Sequence, residues 1–351
     1  MMSFRGGRLA GFALPTSSVW LLTDIAEAKG RQELFTRQSP QILRALREQA
    51  MIQSVESSNR IEGVTVEPSR LRPLVLGNTR PRDRSEREIQ GYRDALKLIH
   101  VQAEELSLAP AVWQRLHQMI QADSGDAGQW KRVESDIVEF RPGAPPQVRF
   151  RTVAAKEVAA AVAELDLTFR DSLNQGKVQP LVALAGLILD FLCIHPFRDG
   201  NGRVSRSLTL LGLYQQGYEV GRYISLERLI EDSREDYYEV LRRSSENWHQ
   251  GRHDILPWLN YFLTVVRRAY RLFEERAGQI KGPRGGKARL VEDALANLVR
   301  DFTLTDLERA CPGVSRDWIR RVLRNLQKTD KVVCLGKGPG ALWRNKGTTL
   351  K

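Results

Sequence analysis

Cysteine is scarce: Cys193, Cys311 and Cys334 are the 3 in a chain of 351 residues. They lie far apart and fit no zinc-ligand spacing, which excludes a disulfide framework and a structural zinc site. Long apolar runs are also missing. The longest, Pro180 to Ile194, is interrupted by Asp190 and is too short to span a bilayer. Met1 to Pro15 mixes basic residues and glycines without a continuous apolar stretch, so no signal peptide is expected. There is no internal repeat and no low-complexity segment. These absences predict a cytoplasmic protein without membrane contact.

What is present is ordinary in amount and uneven in placement. The chain is 42% hydrophobic and 27% charged, as a soluble protein of two or three domains would be. Its net charge is +12, and residues 281–351 hold 16 Lys plus Arg against 7 Asp plus Glu. A fifth of the chain thus carries most of the excess, which bears on partners rather than fold.

Helical spacing of apolar residues covers most of the rest. It runs from Ser17 to Met51, with Ser39-Pro40 as cap and first residue of a second helix, and continues into Ser54 to Gly63. Further helices are predicted at Arg82–Gln102, Ala109–Ala122, Ala154–Asn174, Pro180–Ile194, Arg203–Gln216, Ser225–Ile230, Arg234–Asn247 and Ile255–Ala277. Ile137 to Phe150 reads as a short β-hairpin with a proline-rich tip. Lys281 to Gly286 reads as a linker. Beyond it, helical patterns at Ala288–Val299, Thr305–Ala310 and Ser315–Lys328, then Val332–Leu335 and Ala341–Trp343 around a glycine-rich turn, make a winged helix-turn-helix pattern.

The chemistry concentrates in His195-Pro196-Phe197-Arg198-Asp199-Gly200-Asn201-Gly202-Arg203-Val204-Ser205-Arg206, a polar loop between two apolar helices. Free N–H groups at a helix start favour an anion, glycines let the backbone approach it, and guanidinium forks bind its oxygens. An imidazole beside such a cradle is a candidate base. Cys193 is not its nucleophilic partner, because residues two apart on a helix do not face each other.

This stretch resembles the H-x-F-x-[D/E]-G-N-G-R-x-x-R signature of the Fic (filamentation induced by cyclic AMP) family at every defined position. Gly91 to Ala95, Gly128 to Arg132, Tyr237-Tyr238 and Trp258 to Phe262 resemble other parts of the same core, so the likeness covers about residues 50–275. It implies a mainly α fold: a Fic-fold helical core with a small β-hairpin flap, plus the C-terminal winged-helix domain. The corresponding division is an N-terminal helical segment over 1–80, a catalytic core over 81–280, a linker at 281–286 and the winged helix over 287–351.

The resemblance implies a protein adenylyltransferase that uses ATP and Mg²⁺ to place AMP on a hydroxyl side chain of a target protein. His195 would be the general base. Asp199 would hold the metal, and Asn201 with Gly200 and Gly202 would line the anion hole. Arg203 and Arg206 would neutralise the β- and γ-phosphate regions, Phe197 would anchor the loop in the core, and Tyr237 and Tyr238 would border the adenine.

Upstream, Ser58-x-x-x-Glu62-Gly63 resembles the family's inhibitory helix, at about residues 50–63. There the glutamate pairs with the second signature arginine, here Arg206. Glu62 also ends a predicted helix, the unfavourable end for a carboxylate, and so calls for a cationic partner. The flap over 137–151 would dock the target by strand addition. Arg316, Arg320, Arg321 and Arg324 make the winged helix a candidate for DNA or for protein, and a homodimer is a further candidate assembly. The rival readings are other phosphate-transfer or deAMPylation chemistry on the same loop, and a nucleotide-sensing DNA-binding regulator.

Overall fold

The computed structural model describes residues 2–36, 40–139 and 145–278, and then 288, 291, 292, 294, 295, 301–311, 314–336, 338 and 340–345. The expected linker at 281–286, the cap at Ser39, much of the helix at 288–299 and the flap tip at 140–144 lie outside them. The chain divides into two compact units, Met1–Gly30 with Ala50–Tyr270, and Arg31–Gln49 with Arg271–Lys351.

In the first unit the elements follow in the order α1 (Thr16–Thr36), α2 (Pro40–Ile61), α3 (Pro68–Leu76), α4 (Arg84–Gln102), α5 (Pro110–Ile120), β1 (Ile137–Glu139) and β2 (Gln147–Phe150). They continue with α6 (Val158–Asn174), α7 (Pro180–Ile194), α8 (Asn201–Gln215), α9 (Leu226–Asp232), α10 (Arg234–Ser245) and α11 (Leu256–Gly278). Parts of α1, α2 and α11 fall to the second unit.

Helix α7 is apolar on all sides and is the axis of the core, since every residue from Leu181 to Ile194 except Leu192 is buried. Gln179 caps it by accepting from Val182 N–H at 3.0 Å, and Pro180 supplies the preset first turn. Its one charged residue, Asp190, is fully buried and accepts from Ser3 Oγ at 2.7 Å and Trp248 Nε1 at 2.6 Å. Helices α6 and α8 pack on α7, and α4 packs on α5 and α8. The α4–α5 crossing is close because position 91 is glycine: a Cβ there would collide with the Met119 carbonyl.

The hairpin expected over Ile137 to Phe150 is present as the antiparallel pair β1–β2, with Ile137 opposite Phe150 and Val138 opposite Val148. Helix α3 is an element that sequence periodicity does not predict. Two prolines suggest a loop, yet Pro68 stands at the helix start and Leu71, Leu74 and Val75 are buried in one apolar stripe.

In the second unit the sheet has the order β3-β5-β4, all antiparallel: β3 (Phe302–Thr303), β4 (Val332–Cys334) and β5 (Leu342–Asn345). Two helices, α12 (Leu304–Ala310) and α13 (Arg316–Lys328), pack with it. A reciprocal capping box between Thr303 and Asp306 starts α12, and Ser315 caps α13. Phe302, Leu307, Ile319, Leu323 and Val332 form the centre of this unit's core. Among the described residues no helix is long and apolar enough to cross a membrane.

Candidate active site

Helix α7 stops because His195 takes a left-handed conformation, φ 53° and ψ 62°, its N–H still bonded to Phe191 O at 2.9 Å. Helix α8 starts six residues later behind Gly200, also left-handed at φ 77°. Two internal devices hold the turn between them. The Asn201 amide closes on the Phe197 backbone, accepting from its N–H at 3.0 Å and donating to its carbonyl at 2.8 Å. The Phe197 ring is fully buried and stacks on His117 with centroids 3.9 Å apart. Asn201 therefore braces the cradle through its side-chain oxygen and one of its two amide N–H groups.

The His195 imidazole is half-buried, and its Nδ1 lies 3.3 Å from Leu192 O. Burial, reinforced by the charge of Lys131, lowers its pKa to about 4. The ring is thus neutral at physiological pH. Lys131, itself buried, donates to Thr152 Oγ1 at 2.5 Å, and its backbone N–H bonds Pro196 O at 2.8 Å, joining the foot of the flap to the loop.

Arg206, one turn into α8, is nearly enclosed, with 3% of its side chain exposed. Its Nε donates to Ser58 Oγ at 2.8 Å, and its Nη2 donates to Ser58 O at 2.9 Å and to Glu62 Oε1 at 2.8 Å. Burial pulls the guanidinium's pKa down, but the Glu62 charge outweighs it and the net shift is upward. Arg206 Nη1 is buried without a hydrogen-bond partner. Helix α2 brings Ser58 and Glu62 here, and Gly63 leaves the helix at φ 79°. Its inner face is polar: Ser54 Oγ donates to Glu227 at 2.7 Å and Ser57 Oγ donates to Glu231 at 2.6 Å.

Position 202 is glycine for a visible reason. A Cβ there would collide with Glu62 Oε1 and lie 3.1 Å from Arg206 Nη1. The Glu62 carboxylate therefore rests against the first turn of α8, where a bound anion would be favoured.

A cavity of about 260 Å³ opens here. Glu62, His195, Gly202, Arg206, Tyr237 and Tyr238 line it, with the flap residues Ile137 and Phe150 on one side. Tyr237 is buried against Trp258 and Tyr261, and burial raises its phenol pKa. Tyr238 is half-buried, with the Arg234 guanidinium 5.7 Å from its ring centre.

Arg203 does not line this cavity. Its Nη1 donates to Glu88 at 2.6 Å and to Asn59 Oδ1 at 3.2 Å, and its side chain is 2% exposed. Its cationic influence on a ligand would act from behind the loop. Asp199 is exposed and borders a second, polar cavity of about 270 Å³ with His117, Gln121 and Arg198. It accepts from Gly200 N–H at 2.6 Å and from Gln121 Nε2 at 3.2 Å.

Sequence reasoning missed Glu88, Asn59 and Lys131. Asn59 sits inside the quoted Ser58–Glu62 pattern and Lys131 inside Gly128–Arg132, but neither has a spacing that announces a role. Glu88 gives no sequence signal.

Residues 107–213 match the family model described as Fic/DOC. That stretch is similar to a Fic/DOC domain. It holds α5, the flap, α7, the loop and most of α8. A Fido domain-containing protein of Dictyostelium discoideum is 34% identical over 76 residues, which is 22% of this chain. The chain spans about half the length of that relative, 49%.

Solved Fic structures share the fold. A Fic family protein from Desulfovibrio desulfuricans covers 97% of this chain and 99% of its own at TM-score 0.60 and 21% identity. A Fic domain-containing signaling protein from Bacteroides thetaiotaomicron covers 73% of this chain and 98% of its own, at TM-score 0.60 and 19% identity. A fragment of Fic-1 from C. elegans covers 75% and 74%, at TM-score 0.56 and 18% identity. The mainly helical architecture with small antiparallel strand pairs is that of these Fic-fold neighbours.

Proposed function

We propose that this chain is a protein adenylyltransferase that moves AMP from ATP to a hydroxyl of a target protein, and that Glu62 holds it off. The observation that carries this reading is that a neutral imidazole, an enclosed arginine and a carboxylate seated on that arginine line one cavity at a helix start.

In this scheme His195 accepts the proton of the attacking hydroxyl, as a neutral imidazole can. The oxygen bonds to the α-phosphorus while the bond to the bridging oxygen breaks, and pyrophosphate leaves. The first turn of α8 supports charge developing on the phosphates, and Arg206 neutralises the terminal one. Tyr238, Ile137 and Phe150 offer an amphipathic wall to the adenine. The target backbone adds to the flap, where the side chains of Val138 and Val148 are exposed.

Asp199 suits a Mg²⁺ ion. It is an exposed hard-oxygen donor, and each of its oxygens keeps a lone pair beyond its existing hydrogen bond. Among the described residues no set of three metal-ligating side chains gathers. When bound, the ion would neutralise phosphate charge and orient the nucleotide.

Glu62 opposes all this by placing a carboxylate where the terminal phosphate would meet Arg206. The test is intact-mass analysis after incubation with ATP and Mg²⁺. Glu62→Gly protein should gain one AMP mass far faster than wild type. Equal labelling of the two proteins would refute inhibition through Glu62. Label arriving from the γ- rather than the α-position would replace adenylylation with phosphorylation.

A further inference from the structure

Helix α13 of the second unit divides cleanly into two faces. Ile319, Val322, Leu323 and Leu326 are buried in the core of that unit, at the spacing of one helical stripe. The opposite face exposes Asp317, Arg320, Arg321, Arg324, Asn325, Gln327 and Lys328. Of these charges only Asp317 is negative, and it lies at the helix start, 3.2 Å from Arg320. Arg321 lies 5.4 Å from the Trp318 ring centre. Arg324, Lys328 and the following Lys331 form no ion pair among the described residues.

We propose that this unit binds duplex DNA along the exposed face of α13. The proposal is independent of the chemistry at His195. Arg320, Arg324 and Lys328 recur every four residues, so their side chains stand in one row about 12 Å long. An α-helix with its side chains, about 10–12 Å across, fits the major groove, which is about 12 Å wide. The row's unneutralised cations would replace counterions on the phosphates. Asn325 and Gln327, on the same face, carry amides of the kind that read base edges. The basic excess of residues 281–351 adds a long-range field of the same sign.

A protein partner fits this face less well. Protein interfaces centre on buried apolar or aromatic anchors, and no large apolar side chain is exposed on α13.

Fluorescence anisotropy of the full chain with a labelled mixed-sequence duplex of about 20 base pairs, at about 50 and 200 mM salt, tests the proposal. Wild type should bind with a dissociation constant of about 10⁻⁶ to 10⁻⁴ M or tighter, weakening steeply with salt. The double variant Arg324→Ala/Lys328→Ala should bind about 10-fold more weakly. Its log–log salt slope should be shallower by about 2, at roughly 0.9 per lost phosphate contact. Its circular dichroism and melting curve should match wild type. Arg170→Ala, an exposed change on α6, should bind as wild type.

Absence of salt-dependent binding by wild type would overturn the proposal, as would equal binding by the double variant. An equal loss in Arg170→Ala would reduce the effect to net charge. Tighter binding of single-stranded RNA than of duplex would overturn the claim of groove docking.

Discussion

A β-carbon on Gly202 would collide with the Glu62 carboxylate, so Glu62 fills the space beside the first turn of α8, where the proposal places the nucleotide's phosphates. Competition for that place makes reach decisive. Glu62→Asp shortens the side chain by one methylene and opens the 2.8 Å contact to Arg206. Labelling with AMP should therefore rank Glu62→Gly first, Glu62→Asp second and wild type last. An aspartate variant as silent as wild type would show that charge near α8, and not the contact, restrains the site.

Ser58 holds the other edge of the same guanidinium through Arg206 Nε at 2.8 Å. A hydrogen bond to a charged group contributes about 1.5–3 kcal/mol. If α2 restrains the site as proposed, Ser58→Ala should raise basal labelling about 10-fold, because α2 loses that contact while Glu62 stays. The measurement is initial rate of incorporation from α-labelled ATP. Unchanged rates would assign Ser58 to helix packing alone.

Arg203 offers a contrast, because its partners are structural. Glu88 is 8% exposed and its carboxylate pairs with the buried Arg203 guanidinium. Removing one member of such a pair leaves an uncompensated buried charge and costs about 3–5 kcal/mol. Glu88→Ala should lower the melting temperature sharply. Arg242→Ala, whose pairs with Glu239 and Glu246 are exposed, should barely move it. Equal shifts in the two variants would contradict this ranking.

The difference between Glu62 and Glu88 also explains what the sequence disclosed. The loop from His195 to Arg206 is contiguous, so its chemistry is visible as a string. Glu62 was accessible because it sits at the unfavourable end of a predicted helix within a short pattern. Glu88 is 115 positions from Arg203 and sits mid-helix among other charges, so only folding reveals the pair. The bracing role of Asn201 likewise depended on three dimensions: its amide closes on the Phe197 backbone. Length and apolar content sufficed for α7, whose 15 residues include one charge, but not for α3, where proline outweighed a three-residue apolar stripe.

The neutral state of His195 carries a pH signature. Its pKa is about 4 in the folded chain, against an ordinary value of 6.5, because burial disfavours the imidazolium. Between these values the unfolded chain binds a proton that the folded one does not, so stability rises with pH and is lost as pH falls from 6.5 toward 4. A shift of this size corresponds to about 3 kcal/mol at the acid end. His253, also at about 4 through burial, adds a second contribution of the same sign. Urea unfolding at pH 7.5 and 4.5 should show a marked loss of stability at the lower pH, and His195→Ala should remove about half of these two residues' share. The labelling rate of Glu62→Gly should correspondingly stay flat from pH 8 to about 6, since the base is already deprotonated there. A rate falling with an apparent pKa near 6.5 would mean that the imidazole is solvated and that burial does not hold it neutral.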